Sequence, residues 1–97
     1  MAFRITGIVK SGGADNPHEA ISHYQWIDDG KTQVHLDNRP TVVSWVRDKK
    51  IPAYVQDQSG NKAFCKVNVS RSGTEFLQTY SDNIWTDNLL SLPEVKI

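Results

Sequence analysis

Apolar and polar residues alternate from Phe3 to Lys10, with Phe3, Ile5 and Val9 on one face and Arg4, Thr6 and Lys10 on the other. Period-two alternation of this kind predicts a half-buried strand. The stretch Ser11-Gly12-Gly13-Ala14-Asp15-Asn16-Pro17 collects loop formers and breaks the pattern. A second strand is predicted from Ile21 to Asp28, rich in β-branched and aromatic residues and stopped at Asp29-Gly30. Its faces are Ile21, His23, Gln25, Ile27 and Ser22, Tyr24, Trp26, Asp28.

The period then changes. Asn38 is a capping residue, and Pro40 suits a first helical turn because its missing N–H would be unpaired there anyway. Val42, Trp45, Val46 and Lys49 follow at helical spacing, so a helix is predicted to about Lys50, with Pro52 beyond its exit. From Ala53 period two returns. Strands are predicted over Ala53–Asp57, Lys62–Ser70 and Thr74–Tyr80, separated by Gln58-Ser59-Gly60-Asn61 and Ser70-Arg71-Ser72-Gly73 turns. Ala63, Cys65, Val67 and Val69 form the inward set of the middle strand. The tail brings Ile84, Trp85, Leu89, Leu90 and Leu92 without strand alternation. Left in water these side chains would make a patch that monomers avoid, so they must pack on their own sheet or on a second copy. Asp82, Asp87 and Asn88 are read as turn formers, which leaves Trp85 free to cover the sheet end near Tyr24 or Trp26. The pattern gives an α+β class: an antiparallel sheet of about five strands with one central helix packed on one face.

Length and composition narrow this to one small domain over residues 1–97. A chain of this size buries only about two-thirds of its unfolded surface, so a homo-oligomer is expected to bury more. Eleven basic residues balance eleven acidic ones, and they are scattered. A duplex nucleic-acid binder draws its affinity from neutralising phosphates and is not expected here. Cys65 is the single cysteine, which excludes an intrachain disulfide and fits a reducing cytoplasm. No segment has the ~18 apolar residues of a membrane span, so no membrane partner is expected.

The chemistry-bearing motifs are few. His18-Glu19-Ala20-Ile21-Ser22-His23 resembles a zinc-protease signature but has its histidines five apart instead of four. On a helix that offset is a rotation of about 140°, and on a strand it puts the rings on opposite faces. No metal and no cofactor is predicted. Cys65 lies on an apolar strand face, where a thiol is inert. Adjacent Ser22 and His23 face opposite ways. No catalytic constellation emerges, and the chain is read as non-enzymatic.

What remains is a polar and aromatic set from both ends of the chain: His18, Glu19, His23, Tyr24 and Trp26 with Tyr80, Asp82, Trp85, Asp87 and Asn88. Core and turn roles account for many of these residues. Converging, they would instead line a groove that holds a planar ligand.

At "NPHEAISHYQWID", "AYVQDQSGNKAFCKV" and "TEFLQTYSDNIWTDNLLSLP" the chain resembles the bacterial domain-of-unknown-function family DUF3892, from about Arg4 to Pro93. Phe76 stands where that family often has Tyr. The resemblance implies a small stand-alone bacterial or phage-borne domain of β-rich fold. It carries no catalytic assignment, and it adds weight to His18, Glu19, His23, Trp85, Asp87 and Asn88.

The function expected first is a non-enzymatic module that holds a small planar or nucleotide-like ligand in an aromatic-lined groove, at His18, Glu19, His23, Tyr24, Trp26, Tyr80, Trp85, Asp87 and Asn88. Small phage proteins that sequester signalling nucleotides are the analogy. Phosphates on such a ligand would call on Arg4, Arg39, Arg47 or Arg71. The alternative is a protein-interaction domain that docks a partner through a sheet edge or the C-terminal apolar tail. A hydrolase using His18 or His23 with Glu19 ranks last.

Overall fold

A computed structural model describes residues 2–11, 20–81, 84–86 and 88–95. Seven strands form one sheet in the order β3-β2-β1-β4-β5-β6-β7. They are β1 (Phe3–Lys10), β2 (Ile21–Asp28), β3 (Val34–Asn38), β4 (Ala53–Gln56), β5 (Lys62–Val69), β6 (Glu75–Ser81) and β7 (Ile84–Thr86). Among the described residues there is one α-helix, α1 (Arg39–Arg47), and one 3₁₀ turn, Asn88–Ser91. No helix is long and apolar enough to cross a membrane.

The α+β class stands; the all-antiparallel sheet of about five strands does not. β1 pairs in parallel with β4 through Phe3↔Ala53 and Arg4↔Tyr54, so the sheet is mixed. A parallel pair needs a crossover, and α1 supplies it between β3 and β4. The two additional strands, β3 and β7, lie at the sheet edges.

Asn38 caps α1 as expected: its Oδ1 accepts from the Thr41 amide at 3.0 Å, with Pro40 in the first turn. The helix stops at Arg47, short of the predicted Lys50, and Lys50 takes a left-handed φ of 57°. Its buried face is Val42 and Val43, with Trp45 and Val46 packed beside them.

Two bulges reset the faces of the first hairpin. Thr6 is an extra residue between Ile5↔Trp26 and Gly7↔Gln25, and Ser22 is one between Val9↔His23 and Lys10↔Ile21. Each extra residue shifts the alternation by one. Ile8 therefore joins Phe3 and Ile5 in the core cluster, Val9 is buried outside that cluster, and Ile21 shares the core with Tyr24.

The sheet is strongly curled. β2 and β6 stand four places apart, ~19 Å on a flat sheet, far beyond a side chain's reach. Yet the Tyr24 hydroxyl accepts a hydrogen bond from the Leu77 amide of β6 at 3.1 Å. The tail closes the fold. Leu89 is fully buried, with Leu90 and Leu92 packed against the same core. Beyond it, the Ile8 amide donates to Pro93 O at 3.0 Å and the Val95 amide to Ile8 O at 2.7 Å, so the tail adds to the edge of β1. Gly7 permits this approach: a Cβ there would lie 2.6 Å from Val95 Cγ2. The tail thus packs on its own sheet.

Candidate functional site

With α1 and the 3₁₀ turn on the inner face, the register places one row of side chains across the outer face. Val34 pairs Ile27, Ile27 pairs Arg4, Arg4 pairs Tyr54, and Tyr54 pairs Phe64. One step from Cys65↔Thr79, both buried on the core side, Phe64 falls beside Tyr80 on the outer side. Tyr80 then pairs Trp85.

The row is aromatic from β4 to β7. Tyr54 and Phe64 rings lie 5.7 Å apart, and Tyr80 meets Trp85 edge-on at 4.9 Å. Tyr54 is only 5% exposed, whereas Phe64 is 49% and Trp85 40% exposed, and Tyr80 is half-buried. Period two puts Lys62 and Lys66 on the same face as Phe64. The Lys62 ammonium sits 4.6 Å from the centre of the Tyr54 ring, and that of Lys66 4.3 Å from the centre of Tyr80. At the β1 end, Arg4 Nη1 donates to Gln56 Oε1 at 3.2 Å. The Tyr54 hydroxyl donates to Asp29, a bond that raises the phenol's pKa.

Those of the residues singled out from the sequence that the structure describes do not converge as one group. Tyr24 is fully buried, and desolvation raises its phenol pKa. Trp26 is pinned between the first hairpin and the helix. Its Nε1 donates to Asp37 Oδ2 at 2.8 Å, it stacks on His35 at 4.4 Å, and it meets Trp45 edge-on at 5.3 Å. His23 Nδ1 lies 2.9 Å from Ser22 Oγ, near the opposite edge of the sheet from Trp85. Trp85 packs on Tyr80, not near Tyr24 or Trp26. His18, Glu19, Asp82 and Asp87 lie outside the described residues. Burial and the strand order, not the sequence separation, divide the described members of the set: among them only Tyr80 and Trp85 share a surface.

Asn88 belongs to a different feature, a cleft of about 530 Å³ between the β4–β5 hairpin and the 3₁₀ turn. Its polar lining includes Gln56, Asp57, Lys62, Asn88 and Ser91, and among the described residues no aromatic ring lines it. Asp57 is a turn residue: its Oδ1 accepts from the amides of Ser59 and Asn61, each at 2.9 Å, which lowers its pKa. Cys65 is buried, and desolvation pushes its thiol up to about 12, so thiolate is scarce at neutral pH. Among the described residues no three His, Cys, Asp or Glu side chains gather as metal ligands would.

Phe64, Lys62 and Lys66 were not among the expected site residues. The signal was present: Phe64 is out of phase with Ala63, Cys65 and Val67, and the two lysines lie two residues to either side of it.

The family model for DUF3892, described as a protein of unknown function, matches residues 4–93, and the chain belongs to that family. No curated protein and no solved structure gives a significant match.

Proposed function

We propose that this member of DUF3892 is a non-catalytic binding module that stacks planar, nucleotide-like ligands on its open sheet face, at Phe64, Tyr80 and Trp85. The observation that carries the reading is the placement of those three rings on neighbouring strands, two of them substantially exposed, on the side that the helix leaves uncovered. Aromatic faces held by a rigid sheet lose little entropy when a planar ring stacks on them. Lys66, already over Tyr80, supplies a cation for a phosphate or for an electron-rich ring. This shifts the expected ligand site from an aromatic-lined groove to an aromatic row.

The test is a titration with nucleoside monophosphates followed by amide and indole NMR shifts. Shifts should centre on Phe64, Tyr80 and the Trp85 indole, and Phe64→Ala should weaken them. Shifts confined to Trp26, or to the polar cleft at Asn88, would overturn the reading.

A second reading keeps the sheet edge as a docking surface. Edge strand β3 exposes Val34 and Leu36 and pairs on one side only. The homo-oligomer expected from the sequence would form there. Sedimentation is the check on it: a dimer that Leu36→Lys dissociates favours this reading, and a monomer at all concentrations removes it.

A further inference from the structure

Resting on the stacking role of the outer face, we propose that its natural ligand is a single-stranded nucleic acid laid across β5, β6 and β7. Three rings are more than one base can cover. Neighbouring strands lie ~4.8 Å apart, so Phe64, Tyr80 and Trp85 span ~10 Å, a platform for two or three successive unpaired bases. Stacking on such rings is tolerant of sequence because every base has a π-face.

The cations fit the same ligand. Lys62 and Lys66 lie four residues apart on one face of β5, ~13 Å along the strand, with Phe64 midway between them. They therefore flank the ring row on its two sides, where the sugar-phosphate chain of a strand crossing the sheet must pass. Each ammonium rests over a tyrosine ring, a weak attraction at exposed sites, and is readily exchanged for a phosphate. Among the described residues the outward acid on this face is Asp29, engaged by Tyr54 at the far end of the row. Next to the rings, Asn68 and Gln78 are joined at 3.0 Å and present amide groups that can meet base edges. Duplex is disfavoured, because its stacked base faces are hidden from a row of surface rings and the chain's net charge is zero.

Fluorescence anisotropy on the full chain tests this with a labelled oligothymidylate of about twelve nucleotides, within the roughly 4–16 that one small domain covers. The same strand annealed as duplex and thymidine monophosphate serve as competitors. Expected is binding of the single strand, with duplex and monophosphate each competing at least about ten-fold less well. Phe64→Ala and Trp85→Ala should each weaken it on the order of ten-fold or more. Lys62→Gln and Lys66→Gln should each reduce the slope of log K against log salt by about 0.7. Lys49→Gln, exposed just past the end of α1 and away from the ring row, should change nothing. All of these side chains are at least partly exposed, and circular dichroism confirms that each variant folds. If the monophosphate binds as tightly as the oligonucleotide, the single-strand inference fails while the stacking reading stands. If duplex competes equally, the inference also fails. If nothing binds, or if binding survives Phe64→Ala and Trp85→Ala unchanged, both fall.

Discussion

A chain ending before Ile84 is expected not to fold as a cooperative unit. The truncation removes Leu89, a side chain with no solvent exposure, and the half-buried Leu90 and Leu92. Large-to-small changes at one buried leucine cost ~2–5 kcal/mol, and here the residue is removed outright. The two hydrogen bonds that tie Ile8 to Pro93 and Val95 go as well. Loss of β7 uncovers the edge of β6 next to buried Thr79, whose hydroxyl donates to Thr86 O at 3.0 Å. Together these losses approach the ~5–15 kcal/mol that holds a small domain folded. Urea unfolding followed by circular dichroism should show no sigmoidal transition in the truncated chain. A finer pair of variants locates the effect. Leu89→Ala alone should lower stability by ~2–5 kcal/mol, whereas Trp85→Ala, on the outer face, should cost well under half of that. A truncated chain that kept the full-length melting temperature would make the tail an appendage and contradict its burial.

Why the tail's role was legible while its geometry was not follows from the kind of information each requires. Clustered leucines demand burial whatever the fold, so burial of Leu89, Leu90 and Leu92 could be anticipated, on the chain's own sheet or on a second copy, and the structure shows the first. Where Trp85 points depends on β7, a strand of three residues too short to show alternation. β3 was hidden for a related reason: Val34-His35-Leu36-Asp37-Asn38 offers two apolar residues, and both face outward at an edge. Parallel pairing of β1 with β4 leaves no mark on either strand, because side chains alternate equally in both ladder types.

The candidate site was read on the same terms. The aromatic character of Tyr80 and Trp85 was visible, and their union with Tyr24 and Trp26 rested on the assumption that the chain ends meet. The ends do meet, through Ile8 and Val95, but on a different part of the sheet from these rings. Ordinary alternation puts Tyr24 on the inward face with Trp26, and the bulges at Thr6 and Ser22 bring Ile8 and Ile21 onto it, while the unbroken alternation of β5 keeps Phe64 outward between its lysines. A single extra residue thus decides whether Ile8 or Ile21 serves the core or the surface.

Tyr24 gives the sharpest test of how the curl is held. Its ring is fully buried in the core, and its hydroxyl is the acceptor for a buried Leu77 amide of β6. Tyr24→Ala empties the space between β2 and β6, and large aromatic truncations cost ~3–5 kcal/mol. Tyr24→Phe preserves the ring but orphans the amide, at ~1–3 kcal/mol. Denaturant midpoints should therefore fall in the order wild type, Phe, Ala. Alkaline pH separates the hydroxyl's part. Desolvation raises the Tyr24 pKa in the folded chain above the unfolded value of about 10. The folded state thus holds its proton where the unfolded state would release it, so this stabilisation is complete below pH ~10 and declines above it. Cys65, pushed up to about 12, declines likewise from its ordinary value of 9.0. Tyr24→Phe should lose less stability than wild type between pH ~10 and ~11, with the Cys65 contribution common to both. Parallel losses in the two proteins, together with equal midpoints at pH 7, would show that the sheet is curled by packing alone and that the Tyr24–Leu77 bond contributes nothing.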